Sequence, residues 1–253
     1  MNNFVNAGLT KDTLMIDDEE TGEKKSFALE VTEESQIAAV AGIGLLCPWN
    51  PATITDHLMT YLDNEGKWIK AGASLGVGIC SAGINDDNHI AFGLLCDHLS
   101  EKSDAIVREC SILGLGMAEA GKSSQDLQDV LVSRVVDTDL SLKESSYSAL
   151  SLGLTFVGQC NGEVAEAIVQ TLMERDEAQL NEHFAKFFGV GLALLFMGQQ
   201  NKCEATLEAL QLIEHPIRKF IEVMVISSAY AGTGNVLKVQ NLMHECLSED
   251  KYS

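Results

Sequence analysis

Aromatic side chains are scarce in this chain, at 6% of its residues, and proline occurs only three times. A core without large rings must be filled by Leu, Ile, Val, Ala and Gly, and small core residues imply backbones that approach closely. So little proline leaves helices uninterrupted. Basic residues are sparse too: 17 Lys and Arg stand against 37 Asp and Glu, a formal charge of −20. That deficit excludes the basic footprint of a nucleic-acid or anionic-membrane surface, and makes a basic partner the electrostatic complement. The same acidity would also serve simply to keep a helical surface soluble. No uninterrupted apolar run reaches the roughly 18 residues of a membrane span, and no signal peptide is read at the start. The seven cysteines (Cys47, Cys80, Cys96, Cys110, Cys160, Cys203 and Cys246) form no CxxC or other metal-ligand spacing. They read as reduced thiols of a cytoplasmic and nuclear protein.

What the sequence does contain is glycine in a recurring pattern. Gly76-Val-Gly78 precedes Gly83, Gly114-Leu-Gly116 precedes Gly121, and Gly191-Leu-Ala193 precedes Gly198. Ser151-Leu-Gly153 with Gly158 keeps the register, and Val225-Ile-Ser227 with Gly232 is a degraded copy. The terminal glycines are separated by 38, 37, 40 and 34 residues, the signature of a repeat array. A glycine inside a helix costs about 1 kcal/mol relative to alanine. Its repeated use marks the internal small residues as contact points between stacked helices, and the terminal glycine as a left-handed cap.

Each unit has one internal order, seen in the apolar SALSLGLTFVG at 148–158, the turn QCNGE at 159–163 and the amphipathic AEAIVQTLMERD at 165–176. Two helices per unit, stacked side by side, predict an all-α protein, an α-solenoid of helix-turn-helix repeats. IAAVAGIGLLC at 37–47 begins a poorer copy, with Gly42 and Gly44 but no matching terminal glycine. Residues 1–35, including DDEETGEKK at 17–25, read as a connector, 36–248 as the repeat array, and 249–253 as a frayed tail. No clear solenoid cap is evident at either end, which predicts a segment of a longer chain.

As a helix, 163–176 places Glu163, Glu166, Gln170 and Glu174 on one stripe, with Val164, Ile168, Thr171 and Leu172 opposite. Val169 and Met173 fall beside the acidic stripe and predict exposed apolar neighbours. The flanking outer helices add Asp126 and Asp129 in SSQDLQDVLVSR, and Glu204 and Glu208 in NKCEATLEALQ. Two readings of these residues stand: solvated faces of amphipathic helices, or rows that dock a partner bearing an apolar patch ringed by cations.

Catalysis finds less support. Gly72-Ala-Ser74-Leu-Gly76 matches the G-x-S-x-G pattern, but no strand is predicted before it, as a nucleophile elbow would need. A hydrolase built around Ser74 is the weaker alternative. The glycine doublets lie within helices rather than at a strand's end, so they are not read as phosphate loops, and His244 with Cys246 lacks further ligands at metal spacing. No catalytic residue, cofactor or metal is assigned.

The Gly-rich helix closing on a glycine resembles the proteasome/cyclosome repeat. FVNAGLTKDTL at 4–14, WIKAGASLGVGICSAGI at 68–84, VGQCNGEVAEAIVQTLMER at 157–175 and AYAGTGNVLKVQNLMH at 229–244 resemble the smaller of the two large non-ATPase subunits of the proteasome regulatory particle. The resemblance is weakest over 15–66. It implies a non-catalytic toroid on the proteasome ATPase ring, docking ubiquitin chains, the ubiquitin-like domains of shuttle factors, and a deubiquitinase. It further implies that the ubiquitin-contacting positions fall on Glu163, Gln170 and Glu174, the glutamine removing one family charge. A second family site, for the deubiquitinase, would lie near 52–63, but ATITDHLMTYLD there departs from the family pattern and is not carried over. An architectural segment with no ubiquitin contact of its own is the alternative.

Overall fold

The structure, a computed structural model, describes residues 4, 7–9, 15–17, 24–26, 32–46, 48–49, 52, 57–85, 89–100 and 102–247. The tail at 249–253, most of the 1–35 connector, and 53–56 within the second-site stretch lie outside the described residues. Inside the connector, β1 (Met15–Asp17) and β2 (Lys24–Ser26) pair antiparallel, Met15 opposite Ser26. That short ribbon was not anticipated by reading the segment as a plain loop.

The other elements are helices, arranged in two compact units, 1–122 and 123–253. The first holds α1 (Glu33–Ala41, prolonged by a tighter turn over Gly42–Leu45), α2 (Lys67–Ser81), α3 (Ile90–Cys96) and α4 (Ala105–Ala118). The second holds α5 (Gln125–Val136), α6 (Leu142–Thr155), α7 (Gly162–Glu174), α8 (Lys186–Leu195), α9 (Glu204–Leu210), α10 (Ile217–Ala229) and α11 (Val236–Leu247). Inner helices stack in succession, α1 on α2 on α4 in the first unit and α6 on α8 on α10 in the second. Outer helices flank them, α3 against α4, and α5, α7 and α9 in a row. This is the all-α helical-repeat architecture that the glycine spacing predicted.

The glycines sit where inner helices touch backbone to backbone. A Cβ added to Gly78 would lie 2.5 Å from the Gly114 carbonyl oxygen, and one on Gly114 would lie 2.5 Å from that of Ser74. The second unit repeats the arrangement: a Cβ on Gly153 would meet the Gly191 oxygen at 2.6 Å, and one on Gly191 the Ala149 oxygen at 2.5 Å. Gly44 meets Gly76 in the same way, so the poorer copy at 37–47 stacks like the others. The rule is that the second small residue of one inner helix abuts the first small residue of the next. The buried serines of α6 satisfy their hydroxyls on main-chain carbonyls: Ser148 donates to that of Glu144 at 2.7 Å, and Ser145 to that of Val135 at 2.7 Å.

Each repeat also closes the next. Gly158, at φ 68°, is followed by Cys160 at φ 54°, and their amides donate to the Leu194 and Leu195 carbonyls at the end of α8. Gly198 donates likewise to Ser228, and Ser123 to Thr155. C-terminal carbonyls that a helix leaves unpaired are thus met by amides of the preceding repeat. In the poorer copy the role falls to Trp49, at φ 64°, whose amide donates to Cys80 at 3.0 Å. It stands at the terminal-glycine position, five residues after Gly44.

Gly191→Ala is expected to destabilise the protein by about 1–3 kcal/mol, because the methyl meets backbone that cannot move aside. Gly93→Ala, in α3 with nothing within 4 Å of the added carbon, is expected to stabilise by about 0.5–1 kcal/mol. Urea unfolding of the two variants beside the parent checks both signs.

Candidate functional site

The outer helices of the second unit carry every candidate docking residue singled out from the sequence. Ser124 caps α5 by accepting from the Leu127 amide, and Asn161 caps α7 by accepting from that of Val164. Asn161 also donates to Gln128 Oε1 at 2.6 Å, and Gln128 Nε2 donates to Glu163 Oε2 at 2.7 Å. Gln128 is buried, so this chain of three side chains ties the start of α7 to α5. The far end is tied as well. Thr171 donates to the Val135 carbonyl at 3.1 Å, and the buried Arg175 guanidinium to those of Asp137 and Thr138 at 3.0 and 3.5 Å.

Between α7 and α9 the packing is open. A groove of about 510 Å³ has Ala165, Val169 and Phe196 along its base and Ala205, Thr206 and Ala209 on the α9 side. Glu166, Gln170 and Met173 form the α7 rim, and Lys202 lines the groove from the turn just before α9. Met173 is 43% exposed. Its neighbour Val169 is only 6% exposed, which corrects the expectation of an exposed residue beside the stripe: its side chain is drawn under the rim, towards α9.

The acidic stripe therefore divides. Glu163 is engaged with Gln128 on the α5 side, while Glu166 faces the groove. Gln170 donates to Glu174 at 2.8 Å, so the glutamine in the stripe holds its carboxylate neighbour in place. Asp126 and Asp129 are exposed on α5, the latter accepting from Gln125 at 3.4 Å. Glu204 and Glu208 are exposed on α9 but do not line the groove. The structure thus brings together Glu166, Val169, Gln170 and Met173, and leaves the four flanking acids around them. Lys202, Ala205 and Ala209 were missed; the pair of alanines four apart on the face of α9 towards α7 was the available signal.

The Ser74 alternative meets a different environment. Ser74 is fully buried in the middle of α2, donates to the Lys70 carbonyl at 3.1 Å and accepts from Ser111 at 3.1 Å. His98 Nδ1 lies 3.4 Å away. No strand-to-helix turn exposes the hydroxyl, so it is a helix-packing group rather than a nucleophile elbow. Burial, with Lys70 adding to it, pushes the His98 ring below its usual pKa. Burial likewise raises the Cys160 and Cys203 thiols, and Cys110 to about 12, leaving them protonated and unreactive. Among the described residues, no helix is long and apolar enough to cross a membrane.

No family model matches the chain. Curated proteins do. It is 37% identical over 249 residues to the 26S proteasome regulatory subunit rpn-1 of Neurospora crassa, and 43% identical over 246 residues to the rpn1 subunit of Schizosaccharomyces pombe. It is 35% identical over 246 residues to the 26S proteasome non-ATPase regulatory subunit 2 of Dictyostelium discoideum. Each match takes in 97% of this chain and 27% of the relative, so the chain spans about a quarter of the length of the curated relatives it matches. Along nearly all of its length, this chain is a homologue of a segment of regulatory subunits of the 26S proteasome.

Two outcomes follow from the geometry. Gln128→Ala is expected to cost about 1–2 kcal/mol in urea unfolding, since it removes two hydrogen bonds made by one buried side chain. The His98 ring is held neutral in the folded state, so the unfolded chain takes up a proton first as pH falls. Stability is therefore expected to decline below about pH 6.5, towards the lower folded-state value. His98→Gln should flatten that limb of the pH–stability curve.

Proposed function

We propose that this chain is a docking scaffold of the proteasome regulatory particle that receives ubiquitin and ubiquitin-like domains on the outer face of α5, α7 and α9. The observation that carries the reading is the groove between α7 and α9, an apolar floor under a rim bearing Glu166, Gln170 and Met173. Such a site suits a partner whose hydrophobic patch is ringed by Lys, Arg and His. Burial of that patch over Val169 and Met173 supplies the affinity. Glu166 and Glu174 speed encounter and set orientation. Lys202, lining the groove from the turn before α9, opposes a cation there and so fixes which way round the partner sits.

The relatives are named as regulatory subunits of the 26S proteasome, that of Dictyostelium discoideum as a non-ATPase subunit, which supports a non-catalytic scaffold role here. The resemblance extends that role to shuttle factors, a proteasome-associated deubiquitinase and contact with the ATPase ring, in cytoplasm and nucleus. A second reading, architecture without ubiquitin contact, has its own support. Glu163 and Glu174 both accept hydrogen bonds from within the protein, so part of the acidic stripe serves the fold.

An NMR titration of labelled ubiquitin, and separately of a shuttle ubiquitin-like domain, tests the proposal. Shifts centred on the hydrophobic patch are expected, weakened about tenfold or more by Glu166→Arg combined with Met173→Ser in a variant that stays folded. Shifts that survive those substitutions would move the site elsewhere. No shifts at high concentration would leave the architectural reading as the better account.

A further inference from the structure

The N-terminal ends of the inner helices in the second unit carry a surface of opposite character. Inner helices α6, α8 and α10 run parallel, since contacts join their starts (Tyr147 with Phe187, Lys186 with Phe220) as well as their ends. Tyr147 lies with its ring centroid 5.5 Å from Phe187 and 6.1 Å from Phe184, in both cases edge to face. Lys143 sits over the Phe184 ring at 4.7 Å, and Lys186 over Phe220 at 5.4 Å. All four rings are half-buried, and both lysines are exposed. Four of the chain's few aromatics gather at one edge.

Charge sets this edge apart. Residues 142–147, 183–187 and 217–220 hold four of the 17 Lys and Arg and one of the 37 Asp and Glu. That one acid, Glu144, is buried and paired with Arg134 at 3.3 Å. Of the four bases, Arg218 is paired with Glu222 at 3.6 Å, while Lys143 and Lys186 lie over aromatic faces. With Glu182 just before His183 and Glu222 beside Arg218 counted, the edge holds four bases to three acids, where the chain as a whole has about two acids for every base.

We propose that Tyr147, Phe184 and Phe187, with Lys143 and Lys186, form a second docking surface, for an acidic polypeptide segment carrying apolar side chains. The rings take the apolar side chains. The lysines swing from the ring faces to the partner's carboxylates, exchanging cation–π contact for ion pairs. Charge complementarity also keeps this surface from competing for the cation-ringed partner suited to the α7–α9 groove.

The probe is a fluorescein-labelled peptide of repeating Asp-Glu-Leu-Phe units, titrated with the chain and followed by anisotropy. Saturable binding is expected, weakened about tenfold or more by Lys143→Glu with Lys186→Glu and by Phe184→Ser, and unchanged by Glu166→Arg. The lysine pair is exposed, so that variant stays folded even if Phe184→Ser does not, as circular dichroism will report. The proposal is overturned by an absence of binding, or by binding indifferent to the lysine reversal. It is equally overturned if a peptide with Ser in place of Leu and Phe binds as well, which would make the surface one of charge alone.

Discussion

Everything in this chain depends on inner helices that touch through their backbones. Gly78 against Gly114, and Gly153 against Gly191, leave no room for even a methyl group. The distance between neighbouring inner helices is therefore set by main-chain atoms rather than by side chains that could repack. Each glycine weakens its own helix by about 1 kcal/mol, and the close contact must offset that through dispersion along the whole interface. Because the spacing is fixed, the end of each inner helix arrives where the preceding corner can reach it. The amides of Gly158 and Cys160 meet the last carbonyls of α8 on that condition alone.

The corners in turn aim the outer helices. Ser123 and Cys160, both with positive φ, are followed at once by the caps Ser124 and Asn161, so α5 and α7 start in a direction dictated by the inner stack. Between α5 and α7 the space is closed by Gln128 at one end and Arg175 at the other. Between α7 and α9 it is not. Helix α9 is short, spanning Glu204–Leu210, and presents two alanines towards α7. The groove is what remains when a regular row of helices contains one that is too small to fill its place.

Much of this was legible in the sequence, because the period of the glycines is itself a statement about backbone contact. Inner and outer helices, the left-handed corners and the placement of Glu166, Gln170 and Met173 follow from spacing and the 3.6-residue turn. What escaped depends on partners distant in sequence or on unusual residue choices. Trp49 takes a left-handed corner that glycine fills elsewhere, so the first copy looked incomplete. Val169 lies near the edge of its helix stripe, and only the presence of α9 decides that it is covered. Gln128 reads as an ordinary surface glutamine until Asn161 and Glu163 close around it from more than 30 residues away. The aromatic edge is spread over three segments and has no local signature.

Helix α8 links the two surfaces. Phe187, at its first turn, belongs to the aromatic edge, and Phe196, just past its end, lies in the base of the α7–α9 groove. Nine residues separate them, about 14 Å along the axis. Gly191 lies between, held by main-chain contact with α6. A helix packed through side chains can slide by fractions of an ångström as rotamers change, and so relay occupancy from one site to another. A helix seated backbone to backbone has no such freedom, because sliding would drive carbonyl oxygens into the neighbouring chain. Without a second arrangement for α8 to adopt, a ligand at one surface has nothing to bias at the other. The glycines that bring the helices together thus also make the two faces energetically independent.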